Sequence, residues 1–290
     1  MTKLEFTLKN DALFKMLFVQ YPELLRLLVA SSLAIKHESI GQFEIKNPEM
    51  PSEFVRGKFC QLDINMAVDG QRVDLEVQVK NRGNYPERVL FNWARLYSTA
   101  LGRGKKYHEL PITVIISIID FPLFDCEEFH SEFVPLEVTR HTPLTDRMRL
   151  HFFELPKLPK SIDTADDLKL WLTLFNAESE EDLAKLESLG VPFMSQAIEA
   201  MRSVSASPKF REIARQREIA RRDEESALYN AELKGEARGE ARGEARGEAR
   251  GEIKGKLAVA KNLLRMNLSI EAIMESTGLT RKEVENLQTN

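Results

Sequence analysis

Apolar and polar residues alternate on both sides of the dipeptide Asp69-Gly70. An Asp-Gly pair between two alternating segments predicts a β-hairpin with a two-residue loop. In that register Val68 faces Gln71 across the hairpin. Every pair of facing residues further from the turn likewise has residue numbers that add up to 139. One face of the hairpin is then wholly apolar and should pack on a core, because side chains alternate between the faces of a strand. This face comprises Leu62, Ile64, Met66, Val68, Val73, Leu75, Val77 and Val79.

The opposite face of the hairpin collects polar side chains. Its cross-strand pairs are Gln61 with Gln78, Asp63 with Glu76, and Asn65 with Asp74. Directly opposed carboxylates repel each other on a sheet, so Asp63 and Glu76 require a compensating partner. A divalent cation such as Mg²⁺, which takes oxygen ligands, is one such partner. A solvated face neutralised by Lys80 or Arg72 is the other interpretation that the pattern allows.

Helical and strand patterns flank the hairpin. Residues Asn10 to Leu33 have a helical pattern that Pro22 should break in two. Residues Tyr85 to Leu101 predict an amphipathic helix. Its polar stripe would be Arg88, Asn92, Arg95 and Thr99, and its apolar side Leu90, Ala94, Tyr97 and Leu101. The apolar run from Ile112 to Ile119 predicts a strand buried on both faces, and two more strands are expected at 129–138 and 148–155.

The chain becomes helical and then repetitive after Pro159. Three helices are expected at 164–175, 180–189 and 192–204. Four Gly-Glu-Ala-Arg tetrads follow from Gly235 to Arg250 within a charged segment, 229–256, that is either a spacer of variable length or a dimerisation rod. Residues 257–290 resemble a small helix-turn-helix with caps at Ser269 and Thr280. The second of these helices is charge-balanced, which favours packing or homo-oligomerisation over DNA binding.

Composition and charge limit the functions that the chain can have. The 290 residues carry a net charge of −4, so DNA is not expected to bind over the whole surface. The segment 80–107 is nevertheless basic, and we expect DNA-backbone contacts from Arg82, Arg88, Arg95, Lys105 and Lys106. Two distant cysteines indicate a reducing, cytoplasmic location, and there is no signal peptide pattern. No apolar run is long enough for a transmembrane helix, so no membrane partner is expected.

Two sets of motifs carry a family resemblance. Asp63, a tight hairpin and then Glu76-Val77-Gln78 resemble the PD-(D/E)XK nuclease signature. The opening Lys9-Asn10-Asp11-Ala12-Leu13-Phe14-Lys15 with Phe18, together with Arg88 and Tyr97 on one helix, is similar to the Rpn family of recombination-promoting nucleases, whose members are also described as transposases. The likeness covers most of the chain, and its strength lies in the ordered set of short motifs.

The resemblance implies an α/β fold with a restriction-endonuclease-like core. That core, a mixed sheet flanked by helices, would occupy residues 1–160, and a helical extension residues 161–228. The implied function is a divalent-metal-dependent DNA endonuclease linked to recombination or mobile elements. The alternative is a decayed nuclease scaffold that acts as a DNA-binding or protein-interaction module.

The resemblance also implies site residues. Asp63, Glu76 and the main-chain carbonyl of Val77 would hold Mg²⁺, and Asp63, Glu76 and Gln78 would be catalytic. Gln78 stands where the wider superfamily usually has lysine, and a neutral amide supplies no positive charge. The sequence leaves open whether Lys80 or Lys9 supplies the positive charge of the usual lysine. The possible auxiliary residues are Lys9, Asp11, Lys80 and Arg88.

Overall fold

The computed structural model describes residues 2–46, 64–81, 83–101, 104 and 106–288. The chain divides into two compact units, the first ending at Ala220 and the second beginning at Arg221. The domain boundaries expected near residues 160, 228 and 256 remain predictions. No described helix combines the length and the apolar character that crossing a bilayer demands.

A mixed six-stranded sheet forms the centre of the first unit, as the restriction-endonuclease-like fold requires. The strands are β1 Phe43–Ile45, β2 Ile64–Val68, β3 Gln71–Gln78, β4 Thr113–Ile119, β5 His130–Phe133 and β6 Met148–Glu154. Their order in the sheet is β1-β2-β3-β4-β6-β5. Strand β4 runs parallel to both of its neighbours, β3 and β6, and the other neighbouring pairs are antiparallel. Strand β1 was not expected, and β5 is shorter than predicted.

The hairpin β2–β3 has the predicted register. Val68 pairs with Gln71 and Asn65 with Asp74, which confirms the two-residue loop. Asp69 and Gly70 both have positive φ, 47° and 79°, as a type I′ turn requires. The Asp69 carboxylate also accepts hydrogen bonds from the main-chain N–H groups of Gly41 and Gln42, which join the turn to the segment leading into β1. The predicted pairs formed by residues 61–63 lie outside the described residues.

Helices cover the apolar face of the sheet. The described helices are α1 Asp11–Gln20, α2 Pro22–Ser32, α3 Tyr85–Ser98, α4 Asp167–Asn176, α5 Glu180–Ser188, α6 Pro192–Ala206, α7 Pro208–Arg265, α8 Ile270–Thr277 and α9 Arg281–Gln288. Asn10 caps α1, and Pro22 occupies the first turn of α2, so the predicted break at Pro22 is confirmed. The helices of 167–206 pack into the same core as α1, α2 and the sheet, around Trp171, Phe175 and Phe210.

Helix α3 covers the other face of the sheet, which is polar on β3 and apolar on β4 and β6. It buries Tyr85, Val89 and Asn92, while Leu90 and Phe91 are 47% and 68% exposed. The predicted orientation of this helix was wrong for Leu90 and Ala94, which are exposed, and for Asn92, which is buried, whereas Arg95 and Thr99 are exposed as predicted. The physical reason is that the sheet surface beneath α3 carries the acids Asp74 and Glu76 on one strand and apolar side chains on its neighbours, so a partly polar helix face packs there. These two acids are 4% and 3% exposed rather than solvated.

The second unit contains three helical segments around a small core. The end of α7, α8 and α9 bury Ala260, Ile273, Leu279 and Val284 together. Ser269 caps α8, Gly278 ends it with a φ of 71°, and Thr280 and Glu283 exchange capping hydrogen bonds at the start of α9. The helix-turn-helix-like arrangement is thus present. The Gly-Glu-Ala-Arg tract is helical throughout and exposed. Its role, and that of the tail, stay predictions.

Two histidines stack at the edge of the sheet. His130 on β5 and His151 on β6 place Nε2 and Nδ1 3.1 Å apart, and His151 is 5% exposed. Burial lowers the pKa of His151 to about 4; Glu132 opposes the shift, whereas His130 and Arg149 add to it. Burial also lowers the pKa of His130. Both rings are therefore neutral at neutral pH.

The neutral His151 should make the stability of the fold sensitive to acid. The unfolded chain binds more protons than the folded chain between pH 6.5 and about 4, so the free energy of unfolding should fall as pH drops through this window. The loss attributable to His151 is about 3 kcal/mol at most. Urea denaturation at several pH values should show a shallower pH dependence for His151→Gln than for wild type. The exposed-site control His108→Gln should match wild type, and equal slopes in all three proteins would contradict the assignment.

Candidate active site

Glu76 is the centre of the polar face beneath α3. The Tyr85 hydroxyl of α3 and the Ser117 hydroxyl of β4 both donate to its Oε1, the second at 3.2 Å. Ser117 lies directly across from Glu76 in the parallel pair of β3 and β4. Burial, followed by the charge of Glu76, raises the pKa of Tyr85 well above its ordinary value, so its hydroxyl stays a donor. The fold thus holds one carboxylate in a fixed orientation.

Gln78 is fixed at both ends of its amide. Arg88 Nη2 donates to Gln78 Oε1 at 2.6 Å, and Gln78 Nε2 donates to the main-chain carbonyl of Lys80 at 2.8 Å. The guanidinium carbon of Arg88 also lies 4.9 Å from the centre of the Tyr85 ring. A single turn of α3 therefore supplies a donor to Glu76 and a cation to Gln78.

The main chain of Val77 faces away from β4. Arg72 N–H donates to Ile112 O, and Gln78 O accepts from Asp120 N–H, so the even-numbered residues of β3 hydrogen bond to the β4 side. Main-chain groups alternate between the two edges of a strand, which directs the Val77 carbonyl toward the β2 side. In the predicted register Asp63 would continue strand β2, which lies on that side of β3. Asp63 is outside the described residues.

Lys9 and Lys80, the two candidates to replace the lysine that the wider superfamily usually has at the position of Gln78, lie in different surroundings. Lys9 Nζ is 2.9 Å from Asp120 Oδ2 and 3.5 Å from Glu178 Oε1, so two carboxylates share its charge. Asp120 directly follows β4, and its N–H bonds Gln78 O, which places the Lys9–Asp120 pair near the end of β3. Lys80 is exposed. Asp11 pairs instead with Arg217 of α7.

A comparison with protein families decides the identity of the fold. Residues 8–231 match the PD-(D/E)XK nuclease family transposases. The chain belongs to this family. The resemblance seen in the sequence is therefore confirmed, and with it a nuclease family linked to mobile elements. No curated protein and no solved structure matches the chain significantly.

The donor atoms of this PD-(D/E)XK nuclease fold suit a hard cation. PD-(D/E)XK nucleases generally use divalent metals, and the Glu76 carboxylate and Val77 carbonyl are oxygen donors of the kind that Mg²⁺ prefers. Across the described ranges no group of three or more His, Cys, Asp or Glu side chains is placed to hold a metal. The second predicted carboxylate, Asp63, falls outside those ranges. The described residues thus fit part of a metal site.

The predicted DNA contacts of this family member are only partly described. Arg95 and Lys106 are exposed, as a phosphate contact requires, and Arg88 is half-buried against Gln78. Arg82 and Lys105 lie outside the described residues. All five assignments remain predictions.

Three residues of the site were missed by the sequence analysis. Ser117 is a lone polar residue in an apolar strand, and Asp120 is an acid at the carboxyl end of a parallel strand, which is where ligands bind in open α/β sheets. Both signals were available in the sequence. Tyr85 had no comparable signal, because an aromatic residue at the start of a helix usually indicates core packing.

Proposed function

We propose that this protein is a divalent-metal-dependent endonuclease that hydrolyses phosphodiester bonds in DNA. The observation that supports the proposal is the buried Glu76 carboxylate, oriented by Tyr85 and Ser117 beside an amide and a cation, Gln78 and Arg88. Burying a carboxylate costs free energy unless hydrogen bonds or a cation compensate it. A scaffold that only had to fold would be served as well by an apolar residue at this position.

Each residue has a separate task in the proposed reaction. Glu76, the Val77 carbonyl and Asp63 would hold the cation. A bound divalent cation lowers the pKa of water and stabilises negative charge on phosphate. Tyr85 and Ser117 keep Glu76 in one rotamer, so that its carboxylate needs little reorganisation.

Gln78 and Arg88 act together at the attacked phosphate. Arg88 supplies the positive charge that Gln78 lacks, and it fixes the amide that positions water. Preorganised donors of this kind stabilise charge that develops in the transition state. The attacking water gives up one proton as its oxygen bonds to phosphorus, the bond from phosphorus to one ester oxygen breaks, and the leaving oxygen takes up a proton from solvent.

Metal removal tests the proposal. The purified full chain should nick supercoiled plasmid with Mg²⁺ and stop when EDTA is added, and excess Mg²⁺ should restore nicking. The gel assay should include Mn²⁺ and Ca²⁺ in parallel, because a hydrolytic site of oxygen donors distinguishes these ions by size and ligand number. Nicking that continues in EDTA would refute metal dependence. Absence of nicking with every cation would favour the decayed scaffold.

A further inference from the structure

A cavity of about 300 Å³ lies between α3 and the polar face of the sheet. Its walls include Asn65, Asp74 and Asn92, and its rim includes Lys46, Arg95 and Thr99. The volume is at the lower end of the range of small-molecule pockets, about 300–1,000 Å³. The cavity can therefore accept a group the size of a nucleotide, but not a duplex.

Asn92 gives the cavity an unused hydrogen-bond donor. The side chain is 8% exposed, and Nδ2 has no hydrogen-bond partner within the described part of the chain. A buried polar group without a partner destabilises a fold, so native structures rarely retain one. A ligand that accepts a hydrogen bond from Nδ2 would give Asn92 its partner.

The polarity of the cavity changes from floor to rim. Asp74 and Asn92 are buried at the floor, and a carboxyl and an amide are among the side-chain groups that hydrogen bond to the edge of a nucleobase. Lys46 and Arg95 are exposed at the rim, where cations suit phosphate. A free phosphate would meet the Asp74 carboxyl at the floor and is disfavoured there.

The cavity also lies beside the candidate active site. Asp74 and Glu76 are neighbours on one face of β3, about 6.6 Å apart along the strand. On α3, Asn92 follows Arg88 by one helical turn on the same side. A nucleotide in the cavity would therefore belong to the strand whose phosphate reaches Glu76.

We infer that this cavity, lined by Asn92, Asp74 and Arg95, binds the base of an unpaired nucleotide next to the scissile phosphate. The inference rests on the proposed function for the identity of the strand. A stacked and paired base cannot enter a pocket between a helix and a sheet, so the substrate must be single-stranded, bulged or flipped at this point. The protein should thus prefer DNA with unpaired nucleotides over intact duplex.

Binding in EDTA separates this inference from the nuclease proposal, since no cleavage is needed. Fluorescence anisotropy would compare the full chain on three labelled probes of one sequence: a single strand, a blunt duplex and a duplex with one bulged nucleotide. Wild type should bind the first and third more tightly. Asn92→Leu should lose about fivefold in affinity for these two probes only, as expected for one hydrogen bond.

Two further variants and a control complete the test. Thr99→Trp narrows the exposed rim without changing the buried floor, and it should cause the same selective loss. Arg95→Met should weaken all three probes and reduce the salt dependence of binding. Arg140→Met, at an exposed arginine outside the cavity, should match wild type on every probe.

The binding and melting measurements show whether the cavity holds an unpaired base. The melting temperature of Asn92→Leu should not fall below that of wild type, because the change removes an unsatisfied buried amide. If Asn92→Leu and Thr99→Trp bind all probes as wild type does, or weaken all probes equally, the inference is wrong. A selective loss in EDTA would support it even if plasmid nicking depended on other residues.

Discussion

Replacing Glu76 with glutamine should reduce plasmid nicking by about 10²–10³-fold or more, a loss of at least 2.7–4 kcal/mol of transition-state stabilisation. Glutamine has nearly the same size, and its Oε1 can still accept from Tyr85 and Ser117. It lacks the negative charge that a divalent cation needs. The variant should therefore fold normally and lose activity, as measured by the initial rate of supercoiled plasmid loss.

Controls for Glu76→Gln come from the same chain. Glu199→Gln on α6 changes an exposed carboxylate and should nick at the wild-type rate. Asp63→Asn should lose activity as Glu76→Gln does, which would test a residue that the structure does not describe. If Glu76→Gln retained activity within about tenfold of wild type at saturating Mg²⁺, the metal role assigned to Glu76 would be refuted.

The hairpin shows which part of the site a sequence can predict. An Asp-Gly turn fixes the register, because a two-residue loop leaves one way to pair the flanking strands. A slip of one residue would turn the polar side chains into the apolar core, so the alternation and the turn specify the same pairing. The structure confirms this for Ile64 to Val68. The step from Glu76 to Asp63 continues the same register and stays a prediction.

Helix α3 shows what the local pattern could not predict. Apolar residues occur on more than one side of the helix, so its periodicity alone does not choose the buried side. The choice depends on the surface beneath it, where Glu76 and Gln78 need donors, and only the side with Tyr85 and Arg88 provides them. Asn92 is consequently buried, while Phe91 is exposed. Contacts with distant strands, polar at Glu76 and Gln78 and apolar around Val89, therefore accompany the observed orientation.

Arg88 is the cation that we expect to replace the usual lysine, and a pair of substitutions can test this. Arg88→Met should reduce nicking about 10²-fold, because one charge-stabilising donor is lost. Gln78→Lys alone should also reduce activity, since its ammonium would approach the Arg88 guanidinium that now contacts the amide. The double variant should be more active than either single variant, because one cation is restored without repulsion.

If Lys80 rather than Arg88 replaced the usual lysine, the same nicking assay would give a different result. Lys80 is exposed, and its contact with Gln78 is through the main-chain carbonyl, which Lys80→Met would keep. We therefore expect Lys80→Met to lower nicking no more than about threefold, the scale of an exposed ion contact. A large loss in Lys80→Met with little change in Arg88→Met would assign the role to Lys80. A double variant no better than its singles would mean that Arg88 positions Gln78 and does not act through its charge.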